Sequence, residues 1–260
     1  MSHKIKRYGW IPDLPDHRDH LYAAPLEWLR KLPPMVDFRD QSPPLLPPVY
    51  DQGELGSCTA NAIAAAIEFD RKKQKLTDFV PSRLFIYYNE RVMEGTVDSD
   101  SGAQIRDGIK SVASQGACSE VEWAYDISKF AVKPDDKCFT DALKDRAVLY
   151  SRLTPTLNQL KGCLASGYPF VFGFTVYTSF ESDAVAQSGI APMPSAGEQA
   201  LGGHAVLAVG YVDSQQRFIV RNSWGVGWGM KGYFTLPYAY LTDSNLSDDF
   251  WTIRLVTPDS

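Results

Sequence analysis

Apolar residues recur at helical spacing in the part of the chain after about residue 50. Ala60, Ile63 and Ile67 share one face of a helix predicted over about 58–73, and Ser57 is a plausible N-cap for it. Hydroxyl side chains and glycines mark the ends of three further helical segments. These are a helix from Ser82 to about Met93 with Gly95 beyond it, one carrying Ile105, Ile109 and Val112 before Gly116, and a short one after Thr156 with Leu157, Leu160 and Leu164 before Gly167.

The second half of the chain has the pattern of β-strands. Aromatic and β-branched residues are concentrated in four segments, 170–176, 205–211, 218–222 and 232–236, which polar or glycine-containing turns separate. Helices followed by strands predict an α+β fold of two lobes, with a helical lobe over about 50–150 and a β lobe over about 151–260. A cleft between two such lobes is the natural place for a ligand.

Composition narrows the possible partners. Of the 260 residues, 44% are hydrophobic and 22% are charged, which is typical of a folded globular protein. There are 26 Lys and Arg against 31 Asp and Glu, a net charge of −5, so we expect no nucleic-acid partner. No run of about 18 apolar residues occurs, so we expect no membrane-spanning helix. The basic residues 1–7 are not followed by an apolar run, so no signal peptide is predicted, and cytoplasmic location or another export route both stay open.

The first 34 residues differ from the rest of the chain. They contain His3, His17 and His20 and several prolines, and they show no clear hydrophobic period. We therefore predict a short N-terminal segment over 1–34 that precedes a single domain over 35–260, which we expect to be monomeric. Two nearby histidines on a polar segment are more often solvated than metal-bound, so we expect neither a metal nor an organic cofactor.

Three residues outside that segment have the chemistry of nucleophilic catalysis. Cys58 lies where a glycine-containing loop enters a predicted helix, and unpaired amides and the helix dipole at that position are expected to lower the pKa of its thiol. His204 is the single histidine after residue 34 and opens an apolar strand, while Asn222 closes the next strand. A hairpin centred near Asp213 would place these two opposite each other within a residue or two.

Taken singly, each of the three has an ordinary structural explanation: a buried core thiol, a satisfied histidine and a turn asparagine. Together they form a nucleophile, a base and a group that orients the base. Cys58 also precedes His204 by 146 residues, a spacing that agrees with a papain-type pair.

The motifs around these residues resemble those of the papain-like cysteine peptidases. The resemblance rests on blocks that occur in the same order over about residues 33–260. They are Gln52-Gly53, Gly56-Ser57-Cys58, His204-Ala205-Val206, Asn222-Ser223-Trp224-Gly225, Gly227-Trp228-Gly229 and Lys231-Gly232-Tyr233, and the segment 167–174 is similar to the bacterial branch. The resemblance implies a helical N-terminal lobe and an antiparallel, β-barrel-like C-terminal lobe with the active-site cleft between them.

The resemblance also implies a role for each matching residue. Cys58 would be the nucleophile, His204 the acid and base, Asn222 the group that orients the imidazole, and Gln52 an oxyanion-hole donor together with the Cys58 amide. Trp224 would cover the contact between Asn222 and His204, and Trp228 would flank the leaving-group side. Peptide substrate would contact Ser101, Gly102, Ala103, Gly173, Gly203 and Ala205. Of these, Ala103, Gly173 and Ala205, with the region near Tyr240-Leu241, would line an apolar pocket for the second residue before the cleaved bond.

Three positions depart from the family pattern. Leu55 stands where a disulfide cysteine is usual, Thr59 where an aromatic residue usually follows the nucleophile, and Ser101 where the first of two glycines is usual. None of these changes removes a reacting atom. Whether Cys118, Cys138 and Cys163 pair stays open.

The expected activity is endopeptidase hydrolysis of a peptide or protein substrate through a thioester on Cys58. Two alternatives remain at this point: a non-catalytic peptide-binding protein of the same fold, and an acyl transferase in which an amine replaces water. The N-terminal segment carries more apolar side chains than a disordered tail normally has. We predict that it packs on the domain, and that part of it covers or borders the cleft and restrains activity. Attachment to the back of one lobe is the other possibility.

Overall fold

The computed structural model describes residues 8–258 of the chain, so the basic start of the sequence, including His3, lies outside the described residues. The described part forms eight α-helices and ten strands. The helices are α1 (Leu26–Arg30), α2 (Cys58–Lys73), α3 (Arg83–Glu94), α4 (Ile105–Ser114), α5 (Asp136–Ala142), α6 (Leu157–Ala165), α7 (Asp183–Ser188) and α8 (Tyr238–Thr242). The strands are β1 (Trp10–Ile11), β2 (Leu21–Tyr22), β3 (Met35–Asp37), β4 (Ala103–Gln104), β5 (Ala147–Leu153), β6 (Phe170–Tyr177), β7 (Ala200–Val212), β8 (Arg217–Arg221), β9 (Tyr233–Pro237) and β10 (Ser247–Val256).

The four predicted helices are present, and local chemistry caps two of them as expected. The Ser82 hydroxyl accepts a hydrogen bond from the Phe85 amide, and Gly95 ends α3 in the left-handed conformation that glycine adopts without strain. Thr156 caps α6 in the same manner. Ser57 precedes α2 but does not cap it, because its hydroxyl lies 2.5 Å from the Tyr125 hydroxyl instead.

Eight of the strands form one sheet in the order β2-β5-β10-β6-β7-β8-β9, with β3 paired to β7, and β1 and β4 form a separate pair. The predicted strands correspond to β6, β7, β8 and β9, which are antiparallel neighbours. The sheet is mixed rather than purely antiparallel, because β2 runs parallel to β5. β5 and β10 were not predicted, and β10 lies near the middle of the sheet.

Helix α2 is buried almost throughout and joins the two halves of the fold. It packs against β7, β10 and β6 on one side and against α3 and α4 on the other. Its N-terminal residue, Cys58, therefore lies at the junction of the helices with the sheet. Within residues 8–258, no helix combines the length and apolar character needed to cross a bilayer.

The N-terminal segment packs on the domain at several points. β2 adds to the edge of the sheet, the Ala24 amide donates to the Gln159 side chain at 2.8 Å, and α1 lies against α6. Its burial is uneven, because Trp10 and Tyr22 are buried but Leu14, Leu21 and Leu26 are each about 70% exposed. The contacts of the segment are thus concentrated in a few residues, rather than shared by all of its apolar side chains.

Candidate active site

Cys58 is the first residue of α2 and is completely buried. Its sulfur accepts a hydrogen bond from the Ala205 amide at 3.4 Å, which places the thiol against the strand that carries His204. The loop before it is held by Asp100, whose carboxylate accepts from the Gly56 amide at 3.0 Å. The sulfur is therefore held by a strand of the sheet, and the loop before Cys58 is held by Asp100.

His204 and Asn222 meet as the predicted hairpin requires. The turn at 213–215 gives a register in which Leu207 lies opposite Arg221, and the His204 Nε2 atom lies 2.9 Å from the Asn222 Oδ1 atom. Because Nε2 faces Asn222, Nδ1 lies on the other side of the ring. The Asn222 Oδ1 atom also accepts from the Ser223 amide at 2.8 Å, which fixes the side-chain amide in this orientation.

Aromatic side chains enclose this pair. The Trp224 ring stacks on the imidazole, with centroids 5.0 Å apart and planes 25° apart. Trp228 packs edge-on against Trp224, and Phe180 contacts both tryptophans. Excluding water strengthens the hydrogen bond between His204 and Asn222, since competition from solvent is removed.

Gln52 is buried beside the same residues. Its Oε1 atom accepts from the Ser223 hydroxyl at 2.6 Å, and its Nε2 atom donates to the Leu55 carbonyl at 2.8 Å. A side-chain amide nitrogen carries two hydrogens, so one donor remains after the bond to Leu55. Together with the Cys58 amide at the start of α2, this donor can stabilise negative charge on an oxygen bound next to the thiol.

The N-terminal segment passes directly over the thiol. We call residues 8–22 the arm. The Gly9 backbone lies close enough to the Cys58 sulfur to lower the pKa of the thiol, and the Gly9 carbonyl accepts from the Ala103 amide at 2.7 Å. β1 then runs parallel to β4, with Trp10 opposite Ala103. The cleft between the helices and the sheet is therefore occupied by the chain's own main chain.

Glycines on both sides make this close approach possible. A β-carbon on Gly9 would lie 1.8 Å from the Gly56 carbonyl oxygen, and one on Gly102 would lie 2.2 Å from the Gly9 carbonyl oxygen. Both contacts are with backbone atoms, which cannot rotate away. The arm thus fits in the cleft only because neither residue has a side chain.

Burial of the thiol reverses the effect that was expected on its pKa. The start of a helix was expected to lower the pKa of Cys58, but the prediction is wrong for this structure, where burial raises that pKa to about 12. The amides of Ala205 and Gly9 lower the pKa only in part, and the Glu90 carboxylate nearby raises it further. With the arm in place, the sulfur is therefore a protonated thiol near neutral pH.

The residues expected to bind substrate lie along the arm. The Ala103 amide binds the main chain of the arm, and Gly173 and Gly203 face the Trp10 ring. The Ala205 amide donates to the sulfur of Cys58. The Gly102 amide donates a hydrogen bond to the Tyr87 hydroxyl at 3.1 Å, which fixes its position. Ser101 turns its hydroxyl toward Thr96, 2.9 Å away, and toward the Gly102 carbonyl.

Two carboxylates at this site were not found from the sequence. Asp100 links the loop before Cys58 to Tyr87, whose hydroxyl donates to it at 2.5 Å and in turn accepts from Gly102. Asp249 is fully buried on β10 and accepts from the Trp10 indole nitrogen at 3.0 Å and from the Asp13 amide at 2.7 Å. Acidic residues of this kind show no periodicity, so only their three-dimensional contacts identify them.

Charged residues fix the arm beyond Trp10. Arg106 pairs with Asp19 at 2.6 Å, its amide donates to Asp13 at 3.0 Å, and its guanidinium donates to the Leu14 carbonyl. Arg152 contacts Asp249 at 2.9 Å and Asp19 at 3.4 Å. Burial, followed by the charge of Asp13, raises the pKa of Asp249. Within residues 8–258, no group of three or more His, Cys, Asp or Glu side chains is placed to hold a metal ion.

Comparison with known proteins is consistent with this geometry. Residues 32–247 match the sequence model of a family described as papain family cysteine protease. The chain is 44% identical to the peptidase C1-like protein L477 of Acanthamoeba polyphaga mimivirus, over 97% of this chain and 88% of that protein. It is 46% identical to xylellain, a cysteine protease from Xylella fastidiosa, with a TM-score of 0.88 and 98% of each chain covered. Mouse cathepsin K is 29% identical over 84% of this chain and 63% of its own length.

Proposed function

The chain belongs to the papain family of cysteine proteases and is a cysteine peptidase, and from this premise we propose that it cleaves peptide bonds through a thioester on Cys58. The observation that carries the mechanism is the 2.9 Å contact between His204 Nε2 and Asn222 Oδ1 under the Trp224 ring, one residue before Ala205, whose amide binds the thiol. A base held in one orientation next to a sulfur at a helix start is the arrangement that nucleophilic catalysis requires.

The reaction follows from these positions. The Cys58 thiolate attacks the scissile carbonyl carbon, and the second Gln52 hydrogen and the Cys58 amide stabilise the oxyanion. His204, as the imidazolium, gives its proton to the leaving amine when the carbon–nitrogen bond breaks. The neutral imidazole then takes a proton from water, whose oxygen attacks the thioester, and the thiolate leaves as the acid product forms.

A peptide vinyl sulfone or epoxide tests the nucleophile, with the modified residue mapped by mass spectrometry. Labelling of Cys58 is expected, and labelling confined to Cys118, Cys138 or Cys163 would contradict the proposal. A non-catalytic binding protein would release no product from a fluorogenic peptide. Product masses measured with and without an added amine separate hydrolysis from acyl transfer, which share the thioester.

Replacing Asn222 with alanine is expected to lower kcat by about ten- to one-hundredfold, because the imidazole loses its orientation but no reacting atom is removed. The measurement is kcat and KM for one fluorogenic peptide. Asn222→Asp serves as the matched variant, since it keeps an oxygen near Nε2 and adds charge. A loss as large as that of the nucleophile would contradict a purely orienting role.

We further propose that the arm restrains this activity. The arm lies over the sulfur at Gly9 and is held in the cleft by the hydrogen bond from the Ala103 amide to the Gly9 carbonyl at 2.7 Å. The arm therefore occupies the space that a substrate needs next to the thiol, in a structure where burial raises the pKa of Cys58.

A further inference from the structure

A narrow slot beside the thiol holds the Trp10 side chain. A β-carbon on Gly173 would lie 2.0 Å from the Trp10 Cε2 atom, and one on Gly203 would lie 2.6 Å from the Cε3 atom. Both walls at these points are therefore bare backbone, and the ring fills the space between them. The same two glycines belong to the region expected to contact substrate, with Gly173 in the predicted pocket for the second residue before the cleaved bond.

The end of the slot is acidic rather than apolar. Asp249 is fully buried there, and its Oδ1 atom is bound by Arg152 at 2.9 Å. Its Oδ2 atom accepts from the Trp10 indole and from the Asp13 amide. Both of these donors belong to the arm. When the arm leaves, Oδ2 remains as a hydrogen-bond acceptor directed into the slot.

Building on the proposed peptidase function, we propose that this slot selects tryptophan as the second residue before the cleaved bond, with Asp249 as the specificity-determining residue. The indole N–H donates but does not accept, and it needs a partner when buried. Phenylalanine would leave the Asp249 oxygen buried without a donor, and leucine would leave part of the slot empty. Tryptophan is the side chain that both fits between the flat walls and donates a hydrogen bond to the Asp249 oxygen.

The surrounding charges disfavour a cationic side chain. With the arm in place, Asp13, Asp19, Asp248 and Asp249 face Arg106 and Arg152 around the end of the slot. Asp13 and Asp19 depart with the arm, which leaves Asp248 and Asp249 paired with Arg152. A lysine or arginine of a substrate would then lie near Arg152, whose charge repels it.

The experiment compares substrates of the full-length chain that differ in one residue. Fluorogenic dipeptides with alanine before the cleaved bond carry tryptophan, 3-benzothienylalanine, phenylalanine, leucine or arginine at the second position. Benzothienylalanine has the shape of tryptophan with sulfur in place of N–H. The arm competes equally with every substrate, so it cancels from ratios of kcat/KM.

Tryptophan is expected to exceed benzothienylalanine by about ten- to one-hundredfold, the range of a buried hydrogen bond to a charged group. In Asp249→Asn, the oxygen of the new side-chain amide must face Arg152, because the guanidinium of Arg152 has only donors. The amide NH2 then faces the slot and opposes the indole N–H, so the ratio should fall to about one. Asparagine tolerates the left-handed backbone found at Asp249, where φ is 58°, so the variant is expected to fold.

Asp248→Asn is the matched control, since it removes the same charge one residue away and should leave the tryptophan ratio unchanged. A ratio near one in the wild-type chain, a preference for arginine, or an unchanged ratio in Asp249→Asn would each overturn the assignment of Asp249. Failure to cleave any of the peptides would instead count against the proposed peptidase mechanism.

Discussion

Replacing Cys58 with alanine is expected to lower peptide hydrolysis by about 10⁴-fold or more, because the variant lacks the atom that forms the thioester. The measurement is the initial rate with a fluorogenic peptide at enzyme concentrations high enough to detect the residual activity. The melting temperature should change little, since the substitution removes a single sulfur atom and leaves the β-carbon in place.

Cys163→Ala is the matched control for this variant. Cys163 is also completely buried at the end of a helix close to the sheet, but its sulfur faces the Tyr168 carbonyl at 3.6 Å. The control should retain activity within a few-fold of the wild type. Hydrolysis by Cys58→Ala within about tenfold of the wild type would contradict its role as nucleophile.

Gly9→Ala is expected to speed labelling of Cys58 by a vinyl sulfone by at least about tenfold, because the added β-carbon would overlap the Gly56 carbonyl and lift the arm from the thiol. Hydrolysis should rise in parallel, mainly through a lower apparent KM. Once exposed, the sulfur loses the burial that raises its pKa, so both access and ionisation improve.

A point substitution tests the arm more sharply than deletion of residues 1–34. Deletion would also remove β2 from the sheet and α1 from α6, and a weakened fold would obscure the result. Gly227→Ala is the matched control, since a β-carbon at Gly227 meets no atom within 4 Å. Equal labelling rates in Gly9→Ala and the wild type would refute the restraint by the arm.

Features that depend on neighbours in sequence could be predicted from the sequence. The helix at Cys58, the caps of α3 and α6, and the hairpin that pairs His204 with Asn222 follow from local spacing and turn chemistry. These features were enough to locate the candidate nucleophile, base and orienting amide in the fold.

Features that depend on distant partners could not be predicted from the pattern. β10 begins with Ser247-Asp248-Asp249, which is typical of a loop, and only Arg152 on β5 and the arm make a buried carboxylate acceptable there. The pKa of Cys58 was expected to be low because the helix start is visible in the sequence but the complete burial of the thiol is not. The approach of the arm to the cleft follows from close backbone contacts, which leave no periodic signal.

The attachment of β2 to β5 also determines how inhibition depends on concentration. Leu21 and Tyr22 hold the far end of the arm on the sheet, so Trp10 stays on a short tether when it leaves the slot. A short tether gives an effective concentration on the order of millimolar. Dilution of the enzyme therefore should not activate it, and a peptide that binds as tightly as the arm must reach that local concentration to displace it. A single cut in the exposed stretch around Leu14 and Arg18, which are 72% and 77% exposed, would turn reclosure into a bimolecular event.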